Sequence, residues 1–176
     1  PGQERRLLFN LRLIADIGLV GLPNAGKSSL LNALTSARAK IGSYQFTTLE
    51  PNLGVLPNGK IIADIPGLIE GASQGKGLGH RFLKHIEKVS VIVHCISLES
   101  DHIQADYQII RQELGNHNPL LLEKPEIIVL TKSDLVTNQI QQKSLKKIKG
   151  SQNPVVIISV NEDESISKLQ KLLTSS

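Results

Sequence analysis

Short apolar runs alternate with stretches in which apolar residues recur every three or four positions, and this alternation continues along most of the chain. Apolar runs of this kind are typical of buried strands, whereas the three-to-four-residue recurrence is typical of amphipathic helices. The runs predict strands over residues 13–20, 53–56, 60–65, 91–96, 127–130 and 155–158. Helices are predicted over residues 27–35, 81–88, 104–114, 139–149 and 166–173.

The order of these elements predicts an α/β fold. Strands that alternate with helices form a mainly parallel sheet with helices on both faces, and we expect six strands in this arrangement. An exception is expected at Pro57-Asn58-Gly59, because Asn-Gly between two apolar runs is typical of a hairpin. Strand 53–56 should therefore be a single antiparallel strand at the edge of the sheet. Residues 36–52 lack periodicity and are predicted to form a long loop.

The composition fits one globular domain. The chain has 176 residues, 40% of them hydrophobic and 20% charged. No apolar run approaches the roughly 20 residues needed to cross a bilayer, so we expect a cytoplasmic protein without a membrane span. Cys95 lies in an apolar run and is expected to be buried. The net charge of +4 fits a polyanionic partner and a solvated lysine-rich face equally well.

The domain boundaries follow from the start of the periodic pattern. The sequence contains no methionine, which suggests a piece cut from a longer polypeptide. Residues 1–12 are interpreted as a lead-in from a missing N-terminal domain. Residues 13–176 are expected to form the domain itself.

A phosphate-binding pattern joins the first strand to the first helix. Gly21, Gly26, Lys27 and Ser28 fit G-x-x-x-x-G-K-[ST], in which glycines let backbone N–H groups surround phosphate oxygens at the start of a helix. In such a loop the lysine reaches the outer phosphates and the serine holds Mg²⁺. An ordinary glycine turn is disfavoured, because an apolar strand precedes the loop and an amphipathic helix follows it. The whole stretch reads Gly21-Leu22-Pro23-Asn24-Ala25-Gly26-Lys27-Ser28.

A second polar stretch, Thr131-Lys132-Ser133-Asp134, follows the buried strand 127–130. A nucleotide base would lie at this edge of the sheet, beyond the carboxyl ends of the strands. Asp134 can accept two hydrogen bonds from the N1–H and 2-amino groups of guanine, whereas adenine has no such pair of donors. Standing alone, Lys132 and Asp134 would be interpreted as an ion pair in a surface loop. Behind a phosphate loop, they favour guanine.

Together with two further stretches, these motifs resemble the guanine-nucleotide-binding domain of the Obg family of ribosome-associated GTPases across nearly the whole chain. The further stretches are Phe46-Thr47-Thr48-Leu49-Glu50-Pro51-Asn52-Leu53-Gly54 and Asp64-Ile65-Pro66-Gly67-Leu68-Ile69-Glu70-Gly71-Ala72. The chain departs from the family at Thr131, where the base motif usually has asparagine. It departs again at Val160, because Ser159-Val160-Asn161 stands where the family usually has Ser-Ala.

The resemblance implies a P-loop GTPase fold and a role for each motif. Thr48, with Thr47 as the alternative, would join Ser28 on Mg²⁺, and the Gly67 N–H would touch the γ-phosphate, so Lys27, Thr48 and Gly67 are the expected catalytic residues. Asp64 would hold a Mg²⁺-bound water. The expected contacts to nucleotide and Mg²⁺ are Gly21, Leu22, Pro23, Asn24, Ala25, Gly26, Lys27, Ser28, Phe46, Thr47, Thr48, Leu49, Glu50, Asp64, Ile65, Pro66, Gly67, Thr131, Lys132, Ser133, Asp134, Ser159, Val160 and Asn161.

The function implied by the resemblance is a switch that hydrolyses GTP to GDP and phosphate and acts in assembly of the large ribosomal subunit. Leu68 stands where Ras-like GTPases have the glutamine that orients the attacking water, so a slow intrinsic reaction is expected. We expect a monomer that reaches the ribosome or its RNA through missing flanking domains. The alternative is a guanine-nucleotide sensor with negligible hydrolysis. An ATP-using enzyme is disfavoured by Asp134.

Asn24 leads to the first prediction. With Leu68 in place of glutamine, the negative charge that develops on the bridging phosphate oxygen has no assigned positive partner. A K⁺ ion held partly by the Asn24 side chain can be that partner, as in related GTPases with an asparagine at this position. We expect GTP hydrolysis to be faster in K⁺ than in Na⁺ at equal ionic strength. The difference should vanish in Asn24→Ala while GTP binding largely survives. Identical rates in the two salts would return Asn24 to a turn-forming role.

Overall fold

Seven strands and four α-helices make up the part of the chain that the computed structural model describes, which is residues 15–35, 40–41, 52–65, 86–148 and 152–175. The strands are β1 (Ile17–Val20), β2 (Lys40–Ile41), β3 (Asn52–Val55), β4 (Ile61–Asp64), β5 (Val91–Ser97), β6 (Glu126–Thr131) and β7 (Val155–Ile157). The α-helices are α1 (Lys27–Leu34), α2 (Ile103–His117), α3 (Asn138–Ile148) and α4 (Asp163–Ser175), and 3₁₀ turns cover Pro119–Glu123 and Ser133–Leu135. None of the helices in these ranges is long and apolar enough to cross a membrane.

The strands form one sheet in the order β2-β3-β4-β1-β5-β6-β7. Strands β4, β1, β5, β6 and β7 are parallel, and β3 runs antiparallel to both of its neighbours. The predicted α/β class is confirmed, and the six predicted strands form five parallel strands and one antiparallel strand. The short strand β2 is an addition within the predicted loop 36–52, and it places β3 one position inside the edge. Two residues are too few to produce a visible alternation in the sequence.

The turn between β3 and β4 is the predicted hairpin. The Leu56 N–H donates to the Lys60 carbonyl at 2.9 Å, and the Gly59 N–H donates to the Leu56 carbonyl at 2.9 Å. Gly59 has a φ of 86°, which is a conformation that glycine adopts without a steric cost. Proline, asparagine and glycine therefore reverse the chain where the sequence predicts it.

Helices cover both faces of the sheet, because alternate residues of each strand point to opposite sides. In β1, Leu19 belongs to the cluster under α1 and α4, whereas Val20 belongs to the cluster under α2. A third cluster packs α2 and α3 against the ends of β5 and β6. The central strand β1 is covered on both faces, since Ile17, Leu19 and Val20 are each at most 1% exposed.

Several elements extend beyond the predicted bounds where polar residues continue the backbone pattern. Strand β6 includes Glu126 and Thr131, which are buried although their side chains are polar. Helix α4 begins three residues before the predicted start, with Asp163 and Glu164 in its first turn, where negative charge is favourable. Of the predicted helix 81–88, only residues 86–88 are among the described residues.

Glu126 is a buried carboxylate at the start of β6, with a side chain that is 1% exposed. It accepts hydrogen bonds from His94 Nδ1 at 2.9 Å, Arg111 Nη1 at 2.7 Å and Asn153 Nδ2 at 2.8 Å. His94 also stacks on Tyr107, with ring centroids 5.2 Å apart. The carboxylate thus ties β5, α2 and the segment before β7 to one point, which satisfies the requirement that a buried charge be paired.

We predict that Glu126→Ala lowers the free energy of unfolding by about 1–3 kcal/mol, because it leaves the buried His94 ring without this hydrogen-bond partner and removes the ion pair with the half-buried Arg111. Urea unfolding followed by circular dichroism measures the change. The control is Glu123→Ala, three residues earlier and exposed, which should stay within about 0.5 kcal/mol of the parent. Equal losses in the two variants would show that the carboxylate at 126 is not a structural anchor.

Candidate functional site

The loop between β1 and α1 turns sharply because two of its residues are glycines in conformations with positive φ. Gly21 has a φ of 151°, and a Cβ atom built on it would lie 2.3 Å from the Cys95 carbonyl oxygen. Gly26 has a φ of 83° and precedes the first residue of α1. Asn24, at the exposed tip of the loop, also has a positive φ of 61°, a conformation that asparagine tolerates better than most residues. The loop can therefore pass close to the backbone of β5 at Cys95.

The start of α1 forms a cradle for an anion. The first N–H groups of a helix have no acceptor within it, and the helix dipole adds positive potential at that end. The Lys27 ammonium donates to the Gly21 carbonyl at 3.0 Å and to the Leu22 carbonyl at 2.9 Å. An ammonium has three hydrogens, and these two bonds leave one for an acceptor above the loop. The backbone carbonyls of the loop thus orient the lysine.

Ser28 and Asp64 meet where β4 ends beside β1. The Ser28 hydroxyl donates to Asp64 Oδ2 at 2.5 Å, although the two residues are 36 positions apart. Asp64 is 4% exposed, and its Oδ1 is a buried oxygen without a hydrogen-bond partner in the described part of the chain. A hydroxyl and a carboxylate are the oxygen ligands that Mg²⁺ prefers. The residues present therefore fit a magnesium ion held between the loop and β4.

Thr131, at the end of β6, connects the phosphate loop to the predicted base loop. Its hydroxyl donates to the Ala25 carbonyl at 2.8 Å and lies 3.3 Å from the Ile96 carbonyl. Threonine in place of the usual asparagine thus still bonds to the loop at residues 21–28. The next residue, Lys132, has a φ of 62°, and its ammonium pairs with Glu99 Oε2 at 2.5 Å.

Two donors hold the carboxylate of Asp134. The Ser159 hydroxyl donates to Oδ1 at 2.7 Å, and Asn161 Nδ2 donates to Oδ2 at 3.0 Å. The hydrogen bond from Ser159, followed by that from Asn161, holds the pKa of Asp134 below its ordinary value. Asp134 itself stays exposed, so the charged carboxylate faces solvent with a fixed orientation. Its oxygens retain lone pairs for donors on a ligand.

Cys95 lies directly beneath the phosphate loop and is 1% exposed, which confirms that it is a core residue. Burial raises the pKa of the thiol to about 12, Lys27 opposes the shift and Asp64 adds to it. The thiol is therefore protonated at neutral pH. Cysteine chemistry requires the thiolate, so this residue has a packing role.

The structure brings together those predicted site residues that it describes, at the carboxyl ends of four strands. A cleft of about 570 Å³ opens beside them, between the loop at residues 24–29 and Lys132. The residues described in this region are Gly21, Leu22, Pro23, Asn24, Ala25, Gly26, Lys27, Ser28, Asp64, Ile65, Thr131, Lys132, Ser133, Asp134, Ser159, Val160 and Asn161. The remaining predicted residues lie outside the described residues, namely Phe46, Thr47, Thr48, Leu49, Glu50, Pro66 and Gly67.

Glu99 is a site residue that the sequence did not reveal. It lines the same cleft and pairs with Lys132 across 33 positions. Its position is the one feature of the sequence that could have pointed to the site: Glu99 follows the end of β5 by two residues, at the sheet edge that carries the other polar loops. No motif distinguishes a glutamate in such a turn from a solvated surface residue.

This fold and loop define a P-loop nucleotide-binding domain of the α/β class. The family described as "50S ribosome-binding GTPase" matches residues 16–132. GTPase Obg of Pelagibacter ubique is 47% identical, over 99% of this chain and 55% of that protein. GTPase Obg of Desulfatibacillum aliphaticivorans is 57% identical, over 76% of this chain and 42% of that protein. The chain therefore belongs to the 50S ribosome-binding GTPase family, as a GTP-binding domain of the Obg type. It spans about half the length of the curated relatives that it matches.

Solved structures share the fold at lower identity. A mutant of S. thermophilus NFeoB bound to GDP superposes with a TM-score of 0.68 at 22% identity, over 93% of this chain and 61% of that one. A mutant of Aquifex aeolicus Era bound to GDP·AlF4⁻ gives a TM-score of 0.59 at 26% identity, over 88% of this chain and 55% of that one. At 22% identity, the similarity to NFeoB is evidence for the fold alone.

We predict that Ser159→Ala raises the pKa of Asp134 towards its ordinary value. The variant lacks the Ser159 hydrogen bond, which lowers this pKa more than the Asn161 hydrogen bond does. A carboxyl-carbon NMR titration measures the shift. Asn161→Ala should raise the pKa less, and Ser167→Ala, on the exposed side of α4, should leave it unchanged. Since the pKa of Asp134 is lower in the folded state than in the unfolded state, the contribution of its charge to folding stability is fully present above the ordinary pKa. It is lost as the pH falls through the depressed value. A larger effect of Asn161→Ala would contradict the assignment.

Proposed function

We propose that this domain is a Mg²⁺-dependent switch that hydrolyses GTP to GDP and phosphate in assembly of the large ribosomal subunit. The observation that carries the proposal is the Asp134 carboxylate, held in its charged form by Ser159 and Asn161 at the edge that also carries the Lys27 loop. Membership of the 50S ribosome-binding GTPase family supports the same activity. The Asp134 carboxylate would bind the base of a guanine nucleotide, and the Lys27 ammonium would bind its phosphates.

Asp134 would select the base. Each of its oxygens already accepts one hydrogen bond and can accept another, so the N1–H and 2-amino groups of guanine find two acceptors in a preset orientation. Adenine offers one acceptor where guanine has the N1 donor, and the carboxylate would then lose water without gaining a partner. This penalty supports selection of GTP over ATP.

The phosphates would lie over the start of α1, where Lys27 and the backbone N–H groups meet them. Ser28 and Asp64 would hold Mg²⁺ there, the serine by its hydroxyl and Asp64 through a water, and this ion supplies charge neutralisation to the phosphate oxygens. Thr48 would add a hydroxyl when the γ-phosphate is present, and the Gly67 N–H would contact that phosphate. These two residues would make the loops that carry them sensitive to the difference between GTP and GDP.

The intrinsic rate should be slow, because Leu68 cannot orient the attacking water. Leu68 also supports the second candidate function, a guanine-nucleotide sensor in which hydrolysis is negligible and occupancy is the output. The proposed ribosomal target implies the cytoplasm, and we propose that a monomer reaches it with the help of flanking domains. Asn24, whose exposed position at the loop tip leaves its side chain available to an ion, remains the proposed K⁺ ligand.

The experiment that tests this function compares GTP and XTP in single-turnover hydrolysis with and without Mg²⁺. The parent should release phosphate from GTP only with Mg²⁺. Asp134→Asn should lose GTP and gain XTP, since xanthine has an acceptor where guanine has the 2-amino donor. Lys27→Ala should weaken both nucleotides by at least about 1.5–3 kcal/mol, the range for a hydrogen bond to a charged group.

Each outcome distinguishes the candidates. Tight GTP binding by the parent with a near-zero rate of phosphate release would favour the sensor. Unchanged GTP affinity in Asp134→Asn would overturn the base assignment. Equal binding of GTP by Lys27→Ala and the parent would overturn the phosphate site.

A further inference from the structure

Positive charge is concentrated in one stretch of the chain. Residues 135–161 contain four lysines and no acidic residue, whereas the whole chain has a net charge of +4. The charge elsewhere therefore balances. Three of these lysines, Lys143, Lys146 and Lys147, belong to helix α3.

Helix α3 presents the three lysines to solvent on one side. Its inward side is marked by the buried Ser144 and Ile148, with Ile148 in the cluster shared with α2, β5 and β6. Lys143, Lys146 and Lys147 are all exposed, and so are Gln139 and Gln142 one turn earlier. The spacing of three and four residues places these five side chains next to each other along the helix. We call them the lysine face.

The lysines of this face repel each other. Lys143 is three residues from Lys146 and four from Lys147, and like charges at these spacings destabilise a helix. Within the described residues, none of the three forms a salt bridge. Lys146 and Lys147 gain from the negative end of the helix dipole, but Lys143 lies before the last turn. Negative charge from outside the domain would relieve the repulsion.

The other helices with many charges mix the two signs. Helix α4 has Asp163 and Glu164 in its first turn and Lys168 and Lys171 further along. Helix α2 carries acidic residues together with Arg111, which is bound to Glu126. A single-sign face is thus a property of α3 within the described part of the chain, rather than of the surface in general.

We propose that the lysine face binds the phosphate backbone of RNA. The proposal rests on the ribosomal role given above and assigns a contact surface to it. Three cations on neighbouring helical positions suit a ligand with regularly spaced negative charges, and the amides of Gln139 and Gln142 add donors for phosphate or ribose oxygens. A membrane is disfavoured as the partner, because an amphipathic helix binds a membrane through a continuous apolar face. Leu145 and Ile148 of α3 pack in the core, which leaves Ile140 as the one exposed large apolar residue of this helix.

The lysine face is fixed relative to the nucleotide site. Gln141 Nε2 donates to the Ser133 carbonyl at 3.0 Å, so α3 is bonded to the loop that carries Asp134. Helix α3 begins four residues after Asp134. Replacement of the exposed lysines leaves this bond and the buried side of the helix intact. RNA binding and nucleotide binding can therefore be measured separately in the same variants.

The test uses the 176-residue chain with GDP and Mg²⁺ and a fluorescein-labelled RNA of mixed sequence, followed by fluorescence anisotropy. The variant replaces Lys143, Lys146 and Lys147 by Gln, which removes charge and has a helix propensity close to that of lysine. The control replaces Lys88, Lys168 and Lys171 by Gln, an equal loss of charge at exposed positions outside α3. Thermal unfolding and GDP affinity are recorded for all three proteins.

The expected result is a change in salt dependence. Each phosphate contact with single-stranded nucleic acid contributes about −0.7 to the slope of log K against log salt concentration, so the α3 variant should have a slope about 2 units shallower than the parent. Its RNA affinity at low salt should fall by at least about tenfold. The control should keep most of the slope, and GDP affinity should be equal in all three proteins.

Three outcomes would overturn the proposal. They are the absence of RNA binding by the parent, an equal loss in the α3 variant and the control, and a selective loss of binding to phosphatidylserine vesicles with RNA binding unchanged. Failure of the GTPase role would appear differently, as absent GTP hydrolysis with the RNA result intact.

Discussion

Gly21 lies where the central strand ends, against the backbone of β5, and this position has no room for a side chain. A Cβ there would approach the Cys95 carbonyl oxygen to 2.3 Å, a distance that requires the backbone to move. Because this residue is a glycine, β1 can stay in the middle of the sheet while the chain turns into α1. The positions of Lys27 and Ser28 follow from that turn. The phosphate end of the site thus depends on one close backbone contact.

The rest of the site is assembled by hydrogen bonds between loops that belong to different strands. Ser28 bonds to Asp64 after β4, Thr131 after β6 bonds to the Ala25 carbonyl, and Asp134 bonds to Ser159 after β7. Each bond joins residues at least 25 positions apart, so the folded sheet sets the geometry in advance. A ligand would therefore meet oriented groups and would lose less conformational entropy on binding.

The local features of this fold could be predicted from the sequence, because each has a local cause. The hairpin at Asn58-Gly59 follows from turn chemistry, and the loop at residues 21–28 follows from its glycines and their spacing. Three features depend on distant partners and could not be predicted. Glu126 resembles an exposed residue until Arg111 and Asn153 are brought beside it, and the bond from Thr131 to Ala25 spans 106 positions. The strand at Lys40–Ile41 exists only through its pairing with β3.

The buried thiol beneath the phosphate loop has a practical consequence. Cys95 is the single cysteine in the sequence, and its pKa of about 12 keeps it protonated and slow to react with alkylating or oxidising reagents while the domain is folded. A cysteine introduced on an exposed helix would then be the one reactive thiol. Site-specific fluorophores or spin labels can therefore be attached without first removing the native cysteine, and delayed labelling of Cys95 itself would report unfolding of the sheet.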